Sequence, residues 1–338
     1  MENIAKKVPE KLEIIYGDVT LGVKGNAGGR EFHYIFSYAA DGPVSFCLEG
    51  REWLYRAPRP VFWRAVTDND RGCGFPLKSG MWFAADMFIR CTDISVAVDG
   101  KEIPLPCAPV NNAYSSEERA ENIQIVYTYE TITNPAATVA VSYRVDASGD
   151  IRVDAHYYGK EGLPELPVFG MRFIMPTCAE RFVYKGLSGE TYPDRKAGGA
   201  EGVYEVKGLP VTPYLVPQDC GMHMDSDWVE IYRSTGLDNS RREREEKGMR
   251  FEMGKLAFSC LPYTAAELEN ATHQDELPPV RRTVVCIYGA VRGVGGINSW
   301  GADVEEGYHV DGEKDILCSF RICGPAGAAD REEKAEGK

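Results

Sequence analysis

A chain of 338 residues, 43% of them hydrophobic, can bury a large core, which excludes both a disordered protein and a small disulfide-stapled domain. Its 38 basic residues against 51 acidic ones leave a net charge of −13, which argues against nucleic acid or an anionic membrane as partner and leaves neutral ligands open. The ten cysteines contain no CxxC pair, so they read as buried thiols in a reducing cytoplasm rather than a zinc or redox site.

Residues 1–11 form a polar leader without an apolar stretch of signal-peptide length, and no later apolar run nears the roughly 20 residues of a membrane helix. LEIIYGDVTLGVKG (12–25) then predicts a strand, a Gly-Asp turn and a second strand, and FHYIFSY (32–38) alternates as a half-buried strand does. DGPVSFCLEGREWLYR (41–56) continues with turns at Asp41-Gly42 and Glu49-Gly50. Next comes FWRAVTDNDRGCGFPLKSGMW (62–82). Its Thr67-Asp68-Asn69-Asp70 can hydrogen-bond their own backbone, and Gly72, Cys73, Gly74 and Phe75 open a loop that Pro76 and Gly80 keep irregular. SGMWFAADMF (79–88) predicts the first helix, with Trp82, Ala85 and Met87 facing inward.

Strands resume at DISVAVDG (93–100), and residues 122–159 hold three clearly alternating strands of a meander. PVFGMRFIMP (167–176) and RFVYKGLSGE (181–190) follow in the same style. Residues 191–228, rich in Tyr, Pro and Gly, are too irregular for a core sheet and too aromatic for a linker, so they predict a long ordered loop. The charged run 233–249 predicts a solvated hairpin tip. TAAELENATHQDEL (264–277) predicts a helix with Thr264 as N-cap and Glu267 completing a capping box; the sequon at Asn270 reads as chance. Strands at 281–293 and 315–324 close the fold, and 324–338 predict a flexible tail. With no repeat or linker, residues 12–323 are expected to form one domain of about twenty short, mostly antiparallel strands.

Glycoside hydrolysis normally uses two carboxyl groups flanking the scissile bond. Asp68 and Asp70, or Asp225 and Asp227, have a spacing that in a strand puts both on one face, but Asp-Asn-Asp before a glycine-rich loop also reads as a knot of turn-forming hydrogen bonds. No catalytic residue is assigned. His33, His156, His223, His273 and His309 show no metal-ligand spacing, and His223-Met224-Asp225 reads as a polar loop. Residues 293–296 lack the lysine of a phosphate cradle. Trp300, in GGINSWGAD, has little local bulk to bury it. It either presents a flat face to the C–H side of a sugar or packs in a sheet corner, and Asn298 and Ser299 either bond a ligand or hold the turn.

Four segments in order carry a family likeness: the run 62–82 with WLYR (53–56) before it and AADMF (84–88) after it, GETYPDR (189–195), VTPYLVPQDCG (211–221) and GGINSWG (295–301). Through them the chain resembles, over nearly its whole length, the C-terminal domain of β-galactosidases, which in some bacteria is a separate small subunit. The resemblance implies an all-β, large antiparallel super-sandwich of galactose mutarotase-like fold with one or two short helices. It implies that the catalytic glutamates, with Mg and Na ions, lie on a catalytic large subunit or barrel domain, and that this chain holds no cofactor and is inactive alone. It also implies that Trp300 stands at the mouth of the active site as a platform for a β-galactoside such as lactose, with Asn298 and Ser299 beside it. Residues 72–75 would begin a mobile loop near the site, which Phe75 and Pro76 stiffen. Tyr192, Asp194 and Arg195 either face the cleft or pin a loop. Competing readings are a free-standing carbohydrate-binding module and an aldose epimerase-like enzyme, for which no acid and base pair is evident.

Overall fold

The computed structural model describes residues 11–106, 118–237 and 245–325. The predicted meander sets the pattern for the fold. In β10 (Asn122–Glu130), β11 (Thr138–Asp146) and β12 (Ile151–Tyr158) every second side chain is buried, because successive side chains on a pleated strand point to opposite faces. β10 and β11 pair without a slip from Asn122↔Asp146 to Glu130↔Thr138.

Two sheets face each other across one apolar core, as expected. The smaller has six strands, ordered β5 (Arg51–Glu52), β4 (Gly42–Leu48), β3 (Arg30–Ser37), β2 (Thr20–Ala27), β1 (Leu12–Tyr16) and β9 (Arg119–Ala120). The larger has thirteen, the main run being β15 (Glu201–Lys207), β14 (Arg181–Leu187), β16 (Met222–Arg233), β17 (Lys247–Leu261), β19 (Ile316–Cys323), β12, β11, β10, β7 (Arg90–Val98) and β8 (Lys101–Ile103). Phe36 and Phe46 of the small sheet meet Tyr143 of the large one with ring centroids 5.9 and 6.4 Å apart.

A branch in the large sheet positions the site. β17 pairs with β16 along one edge, while on the other it hands over from β19, at Arg250–Glu252, to β18 (Thr283–Val291), at Ala257–Leu261. β18 and β6 (Arg59–Val61) both flank β13 (Val168–Met175), each antiparallel to it. They therefore run the same way and end side by side, Val291 opposite Val168 and Val61 opposite Gly170. The segments that follow them, residues 62–82 and 292–304, are delivered to one place.

Three short helices occur among the described residues, one more than the upper expectation: α1 (Asp68–Gly72), α2 (Phe75–Ser79) and α3 (Ala265–Asn270). α3 carries the expected Thr264–Glu267 capping box. The helix expected over 79–88 is absent. Only a 3₁₀ turn forms at Gly80–Trp82, since Phe83 is extended and Ala84 left-handed. Trp82 and Ala85 are buried as expected, but Met87 is exposed. The stretch 191–228, expected as a long loop, instead contains edge strand β15, along which EGVYEVK alternates, and the start of β16. His223 is therefore not in a polar loop but in β16, buried with its ring stacked 4.8 Å from Phe258, and burial pushes its pKa down to about 4. The predicted hairpin lies where β16 and β17 pair at Arg233↔Lys247, and its tip, like most of the leader and the tail, falls outside the described residues. Among the described residues no helix is long and apolar enough to cross a membrane.

Candidate functional site

Thr67 caps α1: its hydroxyl accepts from the Asp70 amide at 3.2 Å, and the Asp70 carboxylate accepts from the Thr67 amide at 3.0 Å. The Asp-Asn-Asp run is thus a helix start, the hydrogen-bonded alternative to a strand. Asp68 and Asp70 do not share a face: Asp68 is exposed beside Arg71, while Asp70 points inward. There it lies between Arg64 Nη1 at 2.6 Å and Arg292 Nη1 at 3.0 Å, all three side chains being 1% exposed. Burial alone would raise the Asp70 carboxyl, but the Arg64 guanidinium and the Thr67 hydrogen bonds outweigh it and hold Asp70 below the usual carboxylate range. Arg292 also donates to Glu165 Oε1 at 2.6 Å and to Asp303, and its guanidinium lies 4.1 Å over the Phe75 ring.

The loop after β18 is clamped onto this cluster. Asp194 accepts from the amides of Val294 and Gly295 at 3.0 and 2.7 Å, Arg195 donates to the Gly295 carbonyl, and Asn69 Nδ2 donates to the Val294 carbonyl at 3.0 Å. Gly301, at φ +76°, sits so close to α1 that a Cβ there would be 2.4 Å from the Gly72 carbonyl oxygen. Asn298 Oδ1 accepts from the amides of Trp300 and Ala302 at 2.9 and 3.3 Å, so this side chain holds the bend. Residues 296–300 form an exposed tip, Ser299 among them, and the Trp300 side chain is 92% exposed.

The two remaining motif segments join the same cluster. Tyr192 is buried and donates to Asp219 Oδ2 at 2.7 Å, while Gln218 Oε1 accepts from the Asp68 amide at 2.8 Å. Burial pushes the Asp219 carboxyl up to about 7, only partly offset by Arg64 and the Tyr192 hydroxyl; burial, then Asp219, pushes the Tyr192 phenol well above its usual value. Asp194 and Arg195 hydrogen-bond the backbone of the Trp300 loop. The predicted 72–75 loop is instead the junction of two helical turns: Gly74 is left-handed at φ +73°, Cys73 Sγ donates to the Asp70 carbonyl at 3.4 Å, and Phe75 is buried with its ring stacked 6.3 Å from Trp63. Sequence reading missed Arg64, Arg292, Glu165, Asp219 and Asp303. The signal for the first two was an arginine inside an apolar run, FWRAV and GAVRGV, a place where a charge needs a partner.

Three carboxylates beneath the Trp300 loop are occupied in holding structure: Asp70 by two arginines, Asp194 by backbone amides, Asp303 by Arg292 and Lys78. Asp225 and Asp227 are likewise paired, with Lys196 and Lys185. Among the described residues no group of three or more His, Cys, Asp or Glu could hold a metal ion. Fold and site together define an all-β scaffold that presents an exposed indole on a loop whose supporting carboxylates are already paired within the chain.

The family model described as "Beta galactosidase small chain" matches residues 28–322. A relative from Latilactobacillus sakei, "Beta-galactosidase small subunit", is 62% identical over 315 residues, 93% of this chain and 98% of its own length. A "Beta-galactosidase" from Halalkalibacterium halodurans is 32% identical over 92% of this chain but only 28% of its own length. In structure, a proposed aldose 1-epimerase from Escherichia coli K12 aligns over 90% of this chain and 99% of its own, at 10% identity and a TM-score of 0.42. The chain belongs to the β-galactosidase small-chain family.

Proposed function

We propose that the chain is the small subunit of a β-galactosidase, completing the active-site mouth for terminal β-D-galactosides such as lactose while a barrel-bearing catalytic chain supplies the two carboxylates. The observation that carries this reading is Trp300, exposed to 92% on a loop whose base is fixed by Asp194, Asn69 and Gly301. A flat indole held without freedom to collapse suits stacking on a sugar and helps exclude water from the assembled site. Mg and Na ions are assigned to the partner, since the carboxylates near the indole are already paired within the chain. The nine described cysteines are free thiols, four of them buried, which supports the cytoplasm as the compartment.

Mixing tests the proposal: this chain and the barrel-bearing chain should each hydrolyse β-galactosides poorly, and together restore turnover. Full activity of either alone would overturn it. In the assembled enzyme Trp300→Leu should cost about 1–2 kcal/mol of substrate binding, raising KM by about 5- to 30-fold with unchanged thermal stability. Unchanged kinetics would remove the platform role.

A further inference from the structure

The geometry points to the exposed apolar face of residues 77–88 as the surface on which the chain bearing the catalytic carboxylates docks, continuous with the surface that presents Trp300. This inference rests on the functional reading above and assigns the partner a place. Leu77 is 92% exposed, and Met81, Phe83, Met87 and Phe88 are exposed with it, five large apolar side chains within twelve residues. Contiguous apolar exposure of this kind marks an interaction surface, and Met and Phe are enriched in interface cores.

The face is rigid. Trp82 beneath it is buried, stacks 5.6 Å from Phe62 and donates to the Pro164 carbonyl at 3.1 Å, while Asp86 pairs with Arg172 at 2.7 Å. The Phe83, Ala85 and Met87 amides donate to the Gly80, Trp82 and Ala84 carbonyls. Little backbone ordering entropy is therefore lost on docking. Beside Phe83 and Met87 lies a hollow of about 560 Å³ that Trp63 and Arg172 also line. Trp63, Phe83, Met87 and Ile174 give the hollow an apolar wall, so it suits an apolar side chain.

Continuity identifies the occupant. Lys78, next to Leu77, pairs with Asp303 at 3.2 Å on the Trp300 loop, and Gly72 abuts Gly301. The chain spans 28% of the length of the H. halodurans relative, so in a single-chain enzyme most of the polypeptide lies outside the part matched here. If the indole enters a site on that remainder, the surface beside the indole lies against it too.

The test titrates the full chain into the barrel-bearing large subunit from the same source, reading complex formation by light scattering and turnover of a β-galactoside. Leu77→Glu with Phe88→Glu, and separately Met87→Glu, change exposed positions, and thermal melts check that folding is intact. Both variants should raise the concentration for half-maximal turnover at least tenfold, with kcat and KM at saturation unchanged; Trp300→Leu should do the reverse. Unchanged half-maximal concentrations would overturn the docking surface alone. So would self-association of the isolated chain that these variants abolish while complementation is untouched, which would make a second copy the occupant. Failure of the unmodified chain to complement would overturn the functional reading and the docking surface with it.

Discussion

In the meander of β10, β11 and β12 a residue's burial follows from its parity, and each inward side chain is one of many in the same apolar cluster. In the clamp beneath Trp300 the arrangement depends on single groups far apart in sequence: Asp70 and Arg292 are 222 residues apart, Asp194 and Gly295 101. The meander is redundant and local in its logic, and the clamp is neither. A core of interchangeable apolar contacts sets stability, whereas a few buried charges set where one exposed side chain stands.

The contrast can be broken most severely at Asp70. Asp70→Asn leaves Arg64 and Arg292 buried without their shared carboxylate, at a cost of about 3–5 kcal/mol. Chemical denaturation should show that loss, and complementing activity should fall further than the folded fraction does. Ile125→Ala in the meander should cost about 2–5 kcal/mol through the cavity it leaves, yet KM of the enzyme assembled from the surviving folded chain should be unchanged. A raised KM would mean that the two regions are not separable.

The smallest effect is a change of slope with pH. Folding raises the Asp219 carboxyl from the usual 3.8 to about 7, so the folded chain holds a proton there that the unfolded chain releases. Its contribution to stability is full below about 4 and declines until about pH 7. Asp70 runs the other way: its depressed carboxyl contributes at neutral pH, and the contribution fades only as pH falls below the usual carboxylate range through its lowered value. Asp219→Asn, which keeps an acceptor for Tyr192, should flatten the fall of Tm between about pH 4 and 7. An unaltered slope would show that Asp219 is ionised in the folded chain.

The meander strands were legible because a period of two is written into residues 122–159, where each position can be checked against its neighbours. Legibility failed where local pattern and tertiary demand part. SGMWFAADMF carries good helix formers, yet Gly80 and the left-handed Ala84 turn it into a compact knot, and EGVYEVK alternates but was overshadowed by the Pro- and Gly-rich residues around it. At the site, the motif segments could be quoted from sequence and the structure brings all four together. A turn was one of two readings for Asp70, and its arginines were missed, because the partners of Arg64 and Arg292 come from other elements and no spacing rule connects them. Whether Trp300 was bare or buried stayed open in the residues themselves, since a bend with small neighbours permits both.

Gly301 meets Gly72 main chain to main chain, with no side chain between them. The elevation of the indole is therefore gauged by the thickness of two backbones. Outward-facing positions of α1 can vary in size or charge without retuning it, while one methyl group added at position 301 would lever the whole bend off its seat.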